Sequence, residues 1–343
     1  MLNATLADEV IQTREALTIF PLISDQGKPL PHKLLSDALG KDAVNVLELG
    51  EGDVPTLVVE NLGLDPVLIL DGEQLLGARQ SRMASRSVVV PGQSKTEIPV
   101  SCVEHGRWHF TSRKFKAGRH YSPTRVRKKV RDLEANMAGR GAAMHADQLS
   151  MAQGEVWKEI EKVQDSMDYH SPTDSLDDVS RSVEDEVHNW AQNFPLLEAQ
   201  IGVLAFLRGM PLALDLIGSP RLYGKIHDRM MRGYIMDALS MPRPVHRASG
   251  FDVTPDRAEE FLEAVSASTS REAPTVGVGS YYVLSGGVTG GKLEQEVDGV
   301  DRVIHLTAFP VDRDTNGHTR DDSESGAPIR RPSRRGWWSS TQG

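Results

Sequence analysis

The chain has 343 residues, 39 Lys and Arg against 48 Asp and Glu, a formal charge of -9 and a hydrophobic share of 39%. These are ordinary values for a globular protein with enough apolar material for more than one domain. The acid excess argues against a dedicated duplex-DNA binder, and the single cysteine, Cys102, excludes an internal disulfide and fits a reducing compartment. No apolar run reaches the length of a membrane span and no secretory signal is evident, so cytoplasm is the expected location and no membrane partner is expected.

Residues 16–23 read as a first strand, Leu34, Leu35, Ala38 and Leu39 as a short helix ending at Gly40, and 44–49 and 56–60 as further strands. The stretch from Pro66 to Trp108 then alternates apolar strands with tight turns and carries more polar residues than a plain meander needs. Val67–Leu70 is an apolar run suited to a strand buried on both faces. It ends at Asp71, Gly72 and Glu73; on extended backbone the two carboxylates lie on one side, about 6 to 7 Å apart. Room for a cation, a water or a polar ligand competes there with a plain turn followed by a solvated Glu.

Strand alternation puts Gln80 and Arg82 on one face, where a guanidinium beside an amide suits phosphate, carboxylate or a base edge, or pairs structurally with Asp71 or Glu73. Ile98, Val100 and Cys102 form an inward row that Glu104 ends, and an acid there needs a partner such as Arg107 or Arg82. Cys102 reads as a small apolar residue more readily than as a nucleophile.

Leu70-Asp71-Gly72-Glu73, Gly77, Gln80, Arg82, the run from Pro99 to Glu104, and Gly106-Arg107-Trp108 resemble the signature of the ADP-ribosylglycohydrolase and rhodanese-phosphatase associated protein family. Gly209, Leu214-Asp215-Leu216, Gly218-Ser219-Pro220 and His305-Leu306 fit its C-terminal part, so the resemblance spans about residues 15 to 310. Ser81 and Ser85 stand where the family tends to have Asn, so an amide contact is not carried over there. The family's name records an association with ADP-ribose and phosphoester chemistry, and the resemblance implies such a context.

After Trp108 comes a basic segment, Arg113 to Arg131, interleaved with Phe110, Phe115 and Tyr121. It suits RNA or a phosphate-rich ligand, or else the solvated face of a helix whose apolar stripe is Val126, Val130, Leu133 and Met137. Residues 138–143 read as a hinge. Leu149, Val156, Ile160, Val163 and Met167 mark one helix; Ser171-Pro172-Thr173-Asp174 reads as the cap of another, with the stripe Leu176, Val179, Val183, Val187, Trp190 and Phe194. Such a helical arm suits a homo-oligomer. Then come a hairpin turning at Arg208-Gly209, helices after Ser219-Pro220 and Thr254-Pro255, strands near 275–284 and 302–309, and a polar tail from Asp312, containing Trp337 and Trp338, expected to be disordered.

Gly286 to Leu293 has phosphate-loop spacing as far as Lys292, but Leu293 stands where Ser or Thr is needed, so it reads as a strand connection. His105 and His109 lack a helix and an intervening acid, no metal centre is expected, and no cofactor is specified. His305 reads as a half-buried strand histidine.

The expected fold is α+β: a β-rich antiparallel sandwich or barrel over 1–112, a basic segment and helical arm over 113–196, a smaller α+β unit over 197–311 and a tail over 312–343. The candidate site joins Asp71, Glu73 and Glu104 as acids, with Glu104 or Glu73 as general base, to Gln80, Arg82, Arg107 and Trp108 as ligand-binding groups. The functional expectation is binding or hydrolysis of ADP-ribose or a related phosphate-bearing nucleotide. A non-catalytic scaffold with a structural ion network, and RNA binding through the basic segment, stand beside it.

Overall fold

The computed structural model describes residues 4–7, 10–24, 29–50, 55–140, 146–241 and 253–311, without the side chains of 137–140 and 146–151. The β-branched and aromatic runs form strands where expected, and the fold is α+β with sheets that are antiparallel apart from one pair. The largest sheet has nine strands and is built from both ends of the sequence. Leu17–Ile23 pairs with Gln200–Leu207, which continues through Met210–Ile217, Val300–Pro310, Val288–Val297 and Ser280–Ser285 to Thr269–Ala273. Thus the regions 1–112 and 197–311 share one sheet, and contacts gather Met1–Pro310 into one unit.

A six-stranded sheet carries the central stretch in the order Phe115–Tyr121, Glu73–Gly77, Arg82–Ala84, Ser94–Cys102, Thr56–Asn61 and Val44–Glu48. A three-stranded sheet joins Val88–Val90, Val67–Ile69 and Lys33–Leu34, the last pair parallel. Alternate residues of these two sheets, among them Val46, Val59, Ile69, Leu75, Val90, Ile98 and Val100, point into one apolar core. The opposite face of the six-stranded sheet packs on the helices through a second core that includes Met83, Tyr121, Val126, Ile160 and Tyr234.

The basic segment forms the helix Thr124–Arg140, with Val126 buried as the stripe requires; Met137 of that stripe lies outside the described side chains. Arg127, Arg131 and Glu134 are buried as well, so the helix turns a second, charged row inward that apolar periodicity does not reveal. The helix Ala146–Met167 buries Val156, Ile160 and Val163 against the core. Leu149 lies outside the described side chains, and residues 141–143 of the expected hinge and the tail from Asp312 lie outside the described residues.

The cap expected at Ser171 sits at Ser175 instead, whose hydroxyl accepts from Asp178 N at 3.4 Å. The residues before it are engaged elsewhere: Ser171 N donates to Gln164 and Thr173 Oγ1 to Glu104. The single helix expected there is two, Leu176–Ser182 and Glu184–Ala191. Gly290 and Gly291 lie within the strand Val288–Val297, so the lysine-containing glycine run is sheet, not a phosphate loop.

Candidate functional site

Gly72 makes the turn that separates the first two acids. Its φ is +87°, and a Cβ there would stand 2.7 Å from Arg127 Cδ, so only glycine allows both the left-handed turn and the arginine passing over it. Glu73 N returns to Leu70 O at 3.1 Å, which closes the chain upon itself. Because the backbone turns here instead of staying extended, Asp71 and Glu73 find different partners. Glu73 accepts from Leu70 N and from Arg229 of the helix Pro220–Leu239, both at 2.9 Å. Asp71 lies 3.5 Å from Arg127 Nε and 3.3 Å from Arg131 Nε.

Around Asp71 extends a buried network that local sequence does not announce. Arg127 clamps Asp215 at 2.8 and 2.6 Å and donates to Thr307 at 2.9 Å, Tyr234 donates to Asp215, and Arg131 pairs with Glu134 and Tyr281. Tyr121 donates to Asp71 O, and its ring lies 4.8 Å under the Arg127 guanidinium. Ser87 accepts from Asp71 N at 2.9 Å and meets His305 Nδ1 at 2.7 Å.

Burial raises the Asp71 carboxyl against the pull of Arg131 and Arg127. Burial acts likewise on Asp215, but the closer Arg127, with His305 and Tyr234, outweighs it and holds that carboxyl low. His305, expected half buried, is fully buried and is pushed down to about 4, against Asp215's opposing pull. His120 falls to about 4 for the same reason, opposed by Glu184.

Those two histidines fix a sign for the pH dependence. Unfolded, each takes up a proton below about 6.5, whereas folded each stays neutral until about 4. Their stabilising contribution is therefore complete above pH 6.5 and is lost as pH falls towards 4, by about 2 kcal/mol each at pH 5. Thermal melts should show a lower Tm at pH 5 than at pH 7.5, and His305→Gln should flatten that slope.

The other five candidates gather at the opposite end of the meander. Ala78 has a left-handed φ of 46°, a conformation that costs an L residue roughly 1–2 kcal/mol. Its groups are held in compensation: N donates to Ser112 Oγ at 3.1 Å and O accepts from Arg107 Nη1 at 2.6 Å. Arg107 also gives Nε and Nη2 to Glu104 at 2.8 and 2.5 Å and reaches His109 O and Thr111 Oγ1 at 3.1 and 3.2 Å. Glu104 accepts further bonds from Ser81 N at 3.0 Å and Thr173 Oγ1 at 2.9 Å. Burial opposes its ionisation, but Arg107, Ser81 and Thr173 together hold its carboxyl below the usual range.

This clamp fixes the loop that carries Trp108 and Phe110, which are 50% and 54% exposed. The Arg79 guanidinium lies 5.7 Å from the Trp108 ring and 4.8 Å from that of Phe110. Arg113, Lys114, Lys116 and Arg119 of the basic segment are exposed, while Arg127 and Arg131 are spent in the core.

Arg82 is fully buried at the edge of the smaller core and forms no ion pair with a carboxylate of the described residues. Nη1 donates to Gln80 O at 3.0 Å and lies 3.3 Å from Gln80 Oε1, while Nε and Nη2 have no partner among the described residues. Gln80 Nε2 in turn donates to His105 O at 3.1 Å. Beside them the Cys102 thiol is pushed up to about 11 by burial, against the pull of Arg82, which makes it unreactive. Among the described residues no cluster of His, Cys, Asp and Glu is arranged to hold a metal, and no helix is long and apolar enough to cross a membrane.

The structure thus divides the seven candidates. Glu104, Arg107, Gln80 and Arg82 share one end with Trp108, while Asp71 and Glu73 belong to the helix-facing network. Sequence reasoning missed Ser87 and Tyr234 outright, met Arg127 only as part of the basic segment and His305 as a half-buried strand histidine, and met Asp215 only within the family resemblance.

No curated relative and no solved structure matches the chain. A family described as ARPP-1, the ARG and Rhodanese-Phosphatase-superfamily-associated Protein domain, matches residues 7–309. The match covers every candidate residue, and the chain belongs to this family.

Proposed function

We propose that the chain binds a phosphate-bearing nucleotide such as ADP-ribose without cleaving it. The observation that carries the reading is the unpaired edge of Arg82. A buried guanidinium without a counter-charge is costly, and an anion on Nε and Nη2 relieves that cost with a side-on pair of charge-assisted bonds. Gln80 holds Nη1 through its main-chain oxygen at 3.0 Å and leaves the Nε and Nη2 edge untouched. Arg79, next to Gln80 in the chain, and Trp108 and Phe110, of the loop after Ser94–Cys102, offer a face for stacking a base, and Arg113 and Lys114 add positive charge nearby. The family's name supplies the ADP-ribose context.

Hydrolysis is disfavoured by the state of the acids. Glu104 already accepts from Arg107, Ser81 and Thr173, Glu73 accepts at both oxygens, and Asp71 is buried between two guanidinium groups. All three are buried away from the bulk water that a general base would activate.

Calorimetric titration with ADP-ribose tests the binding. Arg82→Leu is expected to weaken it about 10- to 100-fold, from the loss of a charge-assisted pair, and Trp108→Ala by a similar factor from lost stacking. Because Arg82 has no carboxylate to strand, Arg82→Leu should melt no lower than the parent. Unchanged affinity in both variants overturns the proposal. A fall of several degrees in Tm for Arg82→Leu with no effect on binding favours the second reading, a scaffold whose ion network is purely structural; the closure of the three acids is the observation on its side.

A further inference from the structure

The strands Glu73–Gly77 and Phe115–Tyr121 meet the helix Pro220–Leu239 over a second group of buried polar atoms, and these lack partners. Gln74 is fully buried, and neither its Nε2 nor its Oε1 is hydrogen-bonded. Gly118 lies directly against it, since a Cβ at 118 would stand 2.8 Å from Gln74 Cβ. Two residues further along, His120 is fully buried, with Nε2 2.6 Å from Glu184 Oε2 and Nδ1 unpartnered.

The helix supplies cations to this region. Gly233 brings it close to the strand end, where a Cβ would stand 3.2 Å from Tyr121 O. One turn earlier, Arg229 gives Nη1 to Glu73 at 2.9 Å and leaves Nε and Nη2 buried and unpaired. Arg232 and Arg229 both act electrostatically on His120, which places that turn of the helix beside it. Each unmet polar atom costs roughly 1–3 kcal/mol, and here a guanidinium edge, a whole carboxamide and an imidazole nitrogen are unmet within one wedge of the fold.

We propose that this wedge is a binding site for a small oxyanion, a carboxylate or a phosphate, held side-on by Arg229 Nε and Nη2 with the Gln74 amide donating to it. Glu73 pairs with Arg229, and Glu184 at 2.7 Å and the exposed Asp228 at 2.8 Å both pair with Arg232, so the described neighbourhood holds no spare cation and a singly charged ligand fits better than a polyanion. The site is separate from the Arg82 edge and does not depend on the nucleotide reading.

The test is thermal shift and calorimetry on the full chain with sodium phosphate, sodium acetate and sodium chloride at matched ionic strength. A saturable upward shift with phosphate or acetate and none with chloride is expected, and whichever anion acts identifies the ligand class. Measured in an Arg82→Leu background, which removes the other anion-binding edge, Arg229→Lys, which keeps the charge and loses the fork, and Gln74→Leu should each weaken the response at least tenfold. If Arg229→Lys does not fold, Gln74→Leu decides alone, since an apolar group of similar size removes two unmet atoms and should not lower Tm. A shift equal in chloride, or parental affinity in Gln74→Leu, overturns the proposal.

Discussion

Arg127→Met should lower the melting temperature by about 5–8 °C. The side chain is fully buried and clamps Asp215 at 2.8 and 2.6 Å while reaching Asp71 and Thr307. Removing it strands Asp215 in the core and takes away one of the two guanidinium groups that offset the burial of Asp71, and breaking a buried pair in this way costs roughly 3–5 kcal/mol. An unfolding entropy of about 2.1 cal/mol/K per residue over some 300 residues turns that cost into the stated interval. Met retains much of the volume, so the loss reports charge and hydrogen bonding more than a cavity. Differential scanning calorimetry of the variant gives the answer directly, and a shift under 2 °C would show the network to be dispensable.

Arg107→Ala is expected to cost a similar 3–5 kcal/mol by leaving Glu104 buried without its counter-charge, and its effect extends to the surface. Arg107 holds Ala78 O, His109 O and Thr111 Oγ1 together, so it ties the left-handed turn at Ala78 to the loop that presents Trp108 and Phe110. The variant should therefore show a lower Tm, a more mobile Trp108 by fluorescence anisotropy decay, and weaker nucleotide affinity. Replacing both partners, as in Glu104→Leu with Arg107→Met, should recover part of the stability, because no charge remains stranded, but not the order of the loop. Recovery of loop order in the double variant would remove the positioning role assigned to the pair.

The difference between these two arginines also shows what the sequence discloses. Glu104 and Arg107 are three residues apart and end an inward row, so their pairing follows from alternation and the need of a buried acid for a partner. Asp71 meets Arg127 across 56 positions and Ser87 meets His305 across 218. Nothing local marks either contact, because a buried polar row on a helix looks in sequence like its solvated face. The strands of the central meander and the helix stripes were legible because apolar periodicity encodes which face is inward. The sharing of one sheet by the two ends of the chain was not, since antiparallel pairing at long range leaves no trace in local composition. The turn at Gly72 was foreseen as a turn, but its consequence, sending Asp71 and Glu73 to different helices, depends on helices that follow more than 50 residues later.

The claim that most needs testing is that Glu104 helps frame a binding edge and that none of the three acids does chemistry. Phosphorus-31 NMR of ADP-ribose with a stoichiometric amount of the chain reads both halves of it at once. The expected spectrum has broadened or shifted diphosphate resonances, restored by Arg82→Leu, and no new signal over a day. A new monophosphate resonance that grows with time and vanishes in Glu104→Gln would contradict the account.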